Sequence, residues 1–139
     1  FVVVGWAKSA EHLQWIGSQG KYNFRMGSAT GGLRFSAQVA GATFLLLHGL
    51  EDAVPGLFRI KNPELGPVVH SAVELTAMGY PSTPTQLSYL VYDVEPATEF
   101  AATAWDLSAL AGKPANAAQG HPFAVSLLDL MVVSKPKTL

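Results

Sequence analysis

Residues 42–49 read ATFLLLHG, an apolar run in which polar residues do not recur at every second position. A strand with one solvated face alternates, so a strand without alternation has both faces covered. The run is also far shorter than a buried helix needs, which makes it a strand at the centre of a sheet. FVVVGWA (1–7) has the same character: short, β-branched and apolar. Two such strands imply a sheet packed on both sides.

Working outward, LFRIK (57–61) alternates around Arg59, and NPELGP (62–67) is a turn of breaker residues. Val68 and Val69 form a brief strand. Ser71 and Glu74 then stand at capping-box spacing before a helix that ends at Gly79, with Pro81 just beyond. LSYLVYDVE (87–95) is a strand, PATEFAATAWDLSALAG (96–112) a helix with Phe100, Ala104, Leu107 and Ala111 on one stripe, and FAVSLLDLMVV (123–133) a closing strand. Residues 133–139 form a basic tail.

On the other side of the central run, LRFSAQVAG (33–41) alternates weakly and reads as a strand, behind a flexible GSATGG turn (27–32). KYNFRM (21–26) alternates clearly: Lys21, Asn23 and Arg25 face one way, Tyr22, Phe24 and Met26 the other. Ser9 caps a short helix from Ala10 to Gly17, with Leu13 and Ile16 on its apolar face and Glu11 where the dipole favours an acid. The sum is one α+β domain over residues 1–139: a small mixed β-barrel or sheet of about seven strands with two or three short helices.

Composition narrows the function. Of 139 residues 49% are apolar and only 14% charged, below the roughly 25% usual for soluble domains. Disorder is excluded, and the scarcity of charge points to a partner surface, whether a homo-oligomer or attachment to a larger protein. The chain opens directly on an apolar run without a basic leader, so Phe1 reads as a processing boundary. Absence of cysteine removes disulfides, thiolate metal sites and a cysteine nucleophile, and fits the cytoplasm. No run approaches the roughly 18 apolar residues of a spanning helix, so no membrane is expected. The net charge of −1 hides an uneven distribution: +3 over residues 1–36, −6 over 37–107 and +2 thereafter. A basic first third can face an anion.

The motifs of catalysis are thin. GSATGG lacks the Lys-Ser/Thr ending of a phosphate loop, and no serine sits in a nucleophile elbow. His12, His48, His70 and His121 include no pair at the helical spacing of a zinc site. Asp93 and Glu95 share a strand face and can hold magnesium, yet the Glu-x-Lys that a nuclease would add is missing. An enzyme reading rests on Asp93, Glu95 and His48 alone, and no cofactor or metal is expected.

What remains is aromatic and polar. Trp6, Trp15, Lys8, Lys21, Asn23 and Arg25 lie within the basic first third. Indole rings stack on a base, and asparagine and arginine offer forked hydrogen bonds to a base edge or phosphate. The competing reading is that Trp6, Trp15 and Trp105 fill the core. Two functions follow: a non-catalytic nucleic-acid-binding domain, or a protein–protein assembly subunit.

The order of elements, with GATFLLLHG (41–49) followed by PGLFRIKNPELGP (55–67), then GYPSTPTQLSYLVYDVEPA (79–97) and HPFAVSLLDLM (121–131), resembles the PUA-like fold in its EVE and ASCH branches. The chain has Gly41 and Ala42 where those branches carry an acidic dipeptide, and a strand-like 27–40 where they carry a helix. The resemblance implies a reader of modified bases or of RNA, within a larger restriction or RNA-modification protein; DNA is the expected partner ahead of RNA.

Overall fold

The computed structural model describes residues 1–6, 9–25, 37–48, 56–84, 87–105 and 123–136. In chain order the elements are β1 (Val2–Trp6), α1 (Ala10–Gln19), β2 (Lys21–Arg25), α2 (Ala37–Ala40), β3 (Phe44–His48), β4 (Gly56–Ile60), β5 (Val68–Ser71), α3 (Ala72–Ala77), β6 (Ser88–Pro96), a 3₁₀ turn (Thr98–Phe100), β7 (Thr103–Ala104), β8 (Phe123–Val125), α4 (Leu127–Val132) and β9 (Lys135–Pro136). This is a mixed α+β architecture. Seven strands form one sheet in the order β2-β6-β4-β3-β1-β8, with β5 also on β6, while β7 and β9 make a separate ribbon. The sheet is open rather than closed.

The central run behaves as its composition demands. β1 and β3 pair in parallel, Val3 opposite Leu45 and Val4 opposite Leu46. Val3, Leu45 and Leu47 enter one core, with Ile16, Tyr22, Phe24, Tyr92 and Val94. Val2, Val4 and Leu46 enter a second core on the opposite face, with Leu57, Ala97, Trp105 and Leu130. Val2 to Val4 and Leu45 to Leu47 therefore meet a core whichever way they point, which is why alternation is absent.

β6 organises the other half. Its residues 89–93 pair with β2 along one edge; along the other, residues 88–91 pair with β5 and residues 94–96 with β4. The sheet curls enough that the Tyr22 ring, on β2, lies against Gly5 of β1, where a Cβ would stand 2.7 Å from the ring. Ser9 caps α1, its hydroxyl accepting from the His12 N–H. The helix ends at Gly20, whose φ of 66° favours glycine and whose carbonyl accepts the Val94 N–H. That bond delivers β2 to its place beside β6. The Ser71–Glu74 capping box forms as expected, with both reciprocal bonds.

Four expectations need correction. Residues 37–40 are helical rather than extended: two alanines and a glutamine favour a turn of helix, and Val39 is buried, its carbonyl accepting the Tyr92 phenol at 2.6 Å. Residues 98–104 form a 3₁₀ turn and strand β7 rather than the start of a helix. Phe100 leans edge-on to both Phe44 and Trp105, so its packing needs are met without a helical stripe. Residues 106–112 lie outside the described residues. The strand expected over 123–133 stops at Val125, because the Ser126 hydroxyl accepts the Asp129 N–H and caps α4. Finally, β2 is not half-solvated: Asn23 is buried along with Tyr22 and Phe24.

Candidate functional site

Residues directly opposite in an antiparallel ladder share a face. The register places Lys21 opposite Asp93, Asn23 opposite Val91 and Arg25 opposite Tyr89, and on the far edge of β6 Val68 opposite Val91 and His70 opposite Tyr89. Positions 21, 23 and 25 of β2 thus share one sheet face with positions 89, 91 and 93 of β6 and 68 and 70 of β5.

The polar groups on this face are tied down to different degrees. The Lys21 Nζ donates to Asp93 Oδ1 at 2.5 Å, both side chains part-exposed. Such a pair contributes well under about 1 kcal/mol, so it orients the ammonium without locking it. Asn23 is only 8% exposed, and its Oδ1 accepts a hydrogen bond from His12 Nε2 at 3.1 Å. His12 is itself 3% exposed. It is stacked near Trp15 and Tyr22, with ring centres 6.1 and 6.0 Å away, and the Tyr80 ring stands edge-on at 5.7 Å. Tyr80 also packs edge-on against Trp15 and tilts over Tyr89. Within this enclosure the Nε2–Oδ1 contact satisfies one group on each side chain.

A cleft of about 70 Å³ opens at the Lys21 end, lined by Lys21, Asp93, His70, Asn62 and the apolar Val68 and Val91 among others. That volume holds a couple of waters or one small polar group. His70 Nδ1 is enclosed without a hydrogen-bond partner and stands 3.8 Å from Glu74 Oε1. Glu74 carries a lowered carboxyl pKa, chiefly because its carboxylate accepts the Ser71 backbone N–H.

The six residues singled out from sequence meet only in part. Lys21, Asn23 and Arg25 come together on β2, and Trp15 joins them through His12. Trp15 is buried, its indole N–H donating to the Met78 carbonyl at 3.0 Å, so it serves the core. Trp6 ends β1, directly after the glycine that the Tyr22 ring touches. Lys8 lies outside the described residues. Trp105 belongs to the second core. Of the residues considered for catalysis, Asp93 is engaged by Lys21, Glu95 is exposed opposite Arg59, and His48 ends β3. Among the described residues no group of three histidines or acids is placed to hold a metal ion. No helix among them is long and apolar enough to cross a membrane.

Sequence reasoning missed His12, Tyr80 and Tyr89. A signal existed for the first: His12 stands three residues before Trp15 and four before Ile16, on the helix face that is buried. Nothing local announces that Tyr80, in a Pro-rich loop, covers it. No family model, no curated protein and no solved structure matches this chain.

Proposed function

We propose that this chain is a non-catalytic nucleic-acid-binding domain that reads a base, modified or not, and belongs to a larger restriction or RNA-modification protein of the cytoplasm, acting on DNA rather than RNA. The observation that carries the reading is the β2 face. It sets Lys21, Asn23 and Arg25 at alternate positions over about 13 Å, close to two phosphate spacings. Beside it stands the cluster of His12, Trp15 and Tyr80. The order of elements in the sequence, which resembles that of PUA-like domains, points the same way. Titrating short modified and unmodified oligonucleotides at low salt, followed by tryptophan emission, tests it. Binding tighter than ~100 μM is expected, and its absence where the electrostatic contribution is strongest refutes the reading.

A second reading, an assembly subunit, is favoured by one observation. Val68, Val69 and Val73 are all more than half exposed around the outer edge of β5, as is Leu87 beside it. Unprotected apolar edges pair with other chains. Light scattering decides it: a stable oligomer supports this reading, and a clean monomer at high concentration removes it.

A further inference from the structure

We infer that Asn23 reads its base through hydrogen-bond donors alone, and so selects a keto base (guanine, thymine or uracil) over an amino base at the position it contacts. The inference rests on the nucleic-acid reading above and sharpens it. A free asparagine side chain offers an acceptor and a donor side by side, which is why it pairs with the N7 and amino edge of adenine. Asn23 cannot do so. Its Oδ1 is occupied by His12, and because a carbonyl oxygen only accepts, His12 Nε2 carries the hydrogen. With the hydrogen on Nε2, turning the amide over brings its NH₂ against that N–H, donor facing donor; the Nδ1–H tautomer is the arrangement that would permit it.

The imidazole cannot swing away to relieve the clash. It is 3% exposed and held between the Trp15 and Tyr22 rings with Tyr80 across its edge. The group left to offer is therefore the Nδ2 amide, which has no partner among the described residues. Nor is it sealed in: among the described residues only His70 Nδ1 is enclosed and unpartnered. The Lys21 and Arg25 positions flank Asn23 two residues to either side on the same strand face, where cations suit the phosphates that carry such a base. A carbonyl oxygen completes the NH₂ donor, whereas the amino group of cytosine or adenine opposes it.

The experiment compares single strands of deoxyuridine with strands of deoxycytidine, which differ at ring position 4 in carbonyl against amino. The wild-type chain is expected to bind the deoxyuridine strand about three- to tenfold more tightly. In Asn23→Asp the side chain still accepts from His12 but turns an acceptor outward, and the preference should vanish or reverse. Nitrogen-15 NMR of the wild-type protein should show His12 as the Nε2–H tautomer. Equal or tighter binding of deoxycytidine by the wild type, an unchanged preference in a folded Asn23→Asp, or an Nδ1–H tautomer each overturns the inference while leaving the nucleic-acid reading standing. Failure of both strands, and of modified oligonucleotides, overturns that reading and this inference with it.

Discussion

Changing Gly5 to alanine tests the curl of the sheet. The new Cβ would lie 2.7 Å from Tyr22 Cζ, 2.8 Å from its hydroxyl oxygen and 2.9 Å from Cε2. Comfortable carbon contacts are about 3.5–4.0 Å, so the ring must retreat by about 1 Å. It has nowhere to go: Tyr22 is 2% exposed, Phe24 stands edge-on at 4.8 Å, and His12 stacks on its other side. Overpacking of this kind costs roughly 1–3 kcal/mol. For a domain of this length that is a fall in melting temperature of about 3–15 °C. Circular dichroism on heating and urea titration both read it. Tyr22→Leu removes the ring, so Gly5→Ala should cost at least ~1 kcal/mol less in that background than in the wild type. A loss under ~0.5 kcal/mol in the single variant, or strict additivity in the double, would show that β2 does not press on β1.

Other outcomes follow from single groups. Gly17→Ala should stabilise by about 0.5–1 kcal/mol, because Gly17 is exposed inside α1 and a Cβ there meets nothing within 4 Å; a loss on thermal melting refutes it. Ser71→Ala should cost about 1 kcal/mol through the broken capping box. Because the Glu74 carboxyl is lowered in the folded state, its stabilisation is full above its unfolded pKa and fades as pH falls through the folded one. Glu74→Gln should therefore flatten the acid limb of stability against pH. Tyr92 is raised well above the usual phenol range by burial, so its neutral form favours folding until pH rises past the unfolded value; Tyr92→Phe should remove that alkaline loss and, through the lost hydrogen bond to the Val39 carbonyl, which keeps the Ala42 N–H, cost about 0.5–1.5 kcal/mol near neutrality. Arg25→Ala should leave the melting temperature nearly unchanged and weaken oligonucleotide binding by roughly 1–3 kcal/mol; unchanged affinity removes β2 from the interface.

Legibility in the sequence followed the range of the deciding interaction. Ser9, Gly20, Ser71 and Glu74 act within a turn of themselves, and α1 and α3 begin where the cap residues predict. β1 and β3 were legible because three consecutive residues in each are buried. FAVSLLDLMVV was not, since an apolar run suits strand and helix alike and a single hydroxyl, Ser126, turns it into β8 and α4. The alternation of KYNFR correctly separated Tyr22 and Phe24 from Asn23. It could not foresee that a histidine on the preceding helix would take Asn23 out of solvent, because that contact depends on how α1 settles against β2.

The arrangement of β6 also sets an order of events during synthesis. Among the described residues β2, complete at residue 25, pairs with residues 89–93, so more than sixty residues must follow before that partner exists. At ribosomal rates of ~5–20 residues per second that is a wait of roughly 3–12 s, with Tyr22 and Phe24 lacking the strand that shelters them. β4 and β5 wait on the same segment, one for residues 94–96 and the other for 88–91. The emergence of one nine-residue strand thus lets three earlier strands pair at once, and assembly of this half of the sheet is timed by its latest-made member.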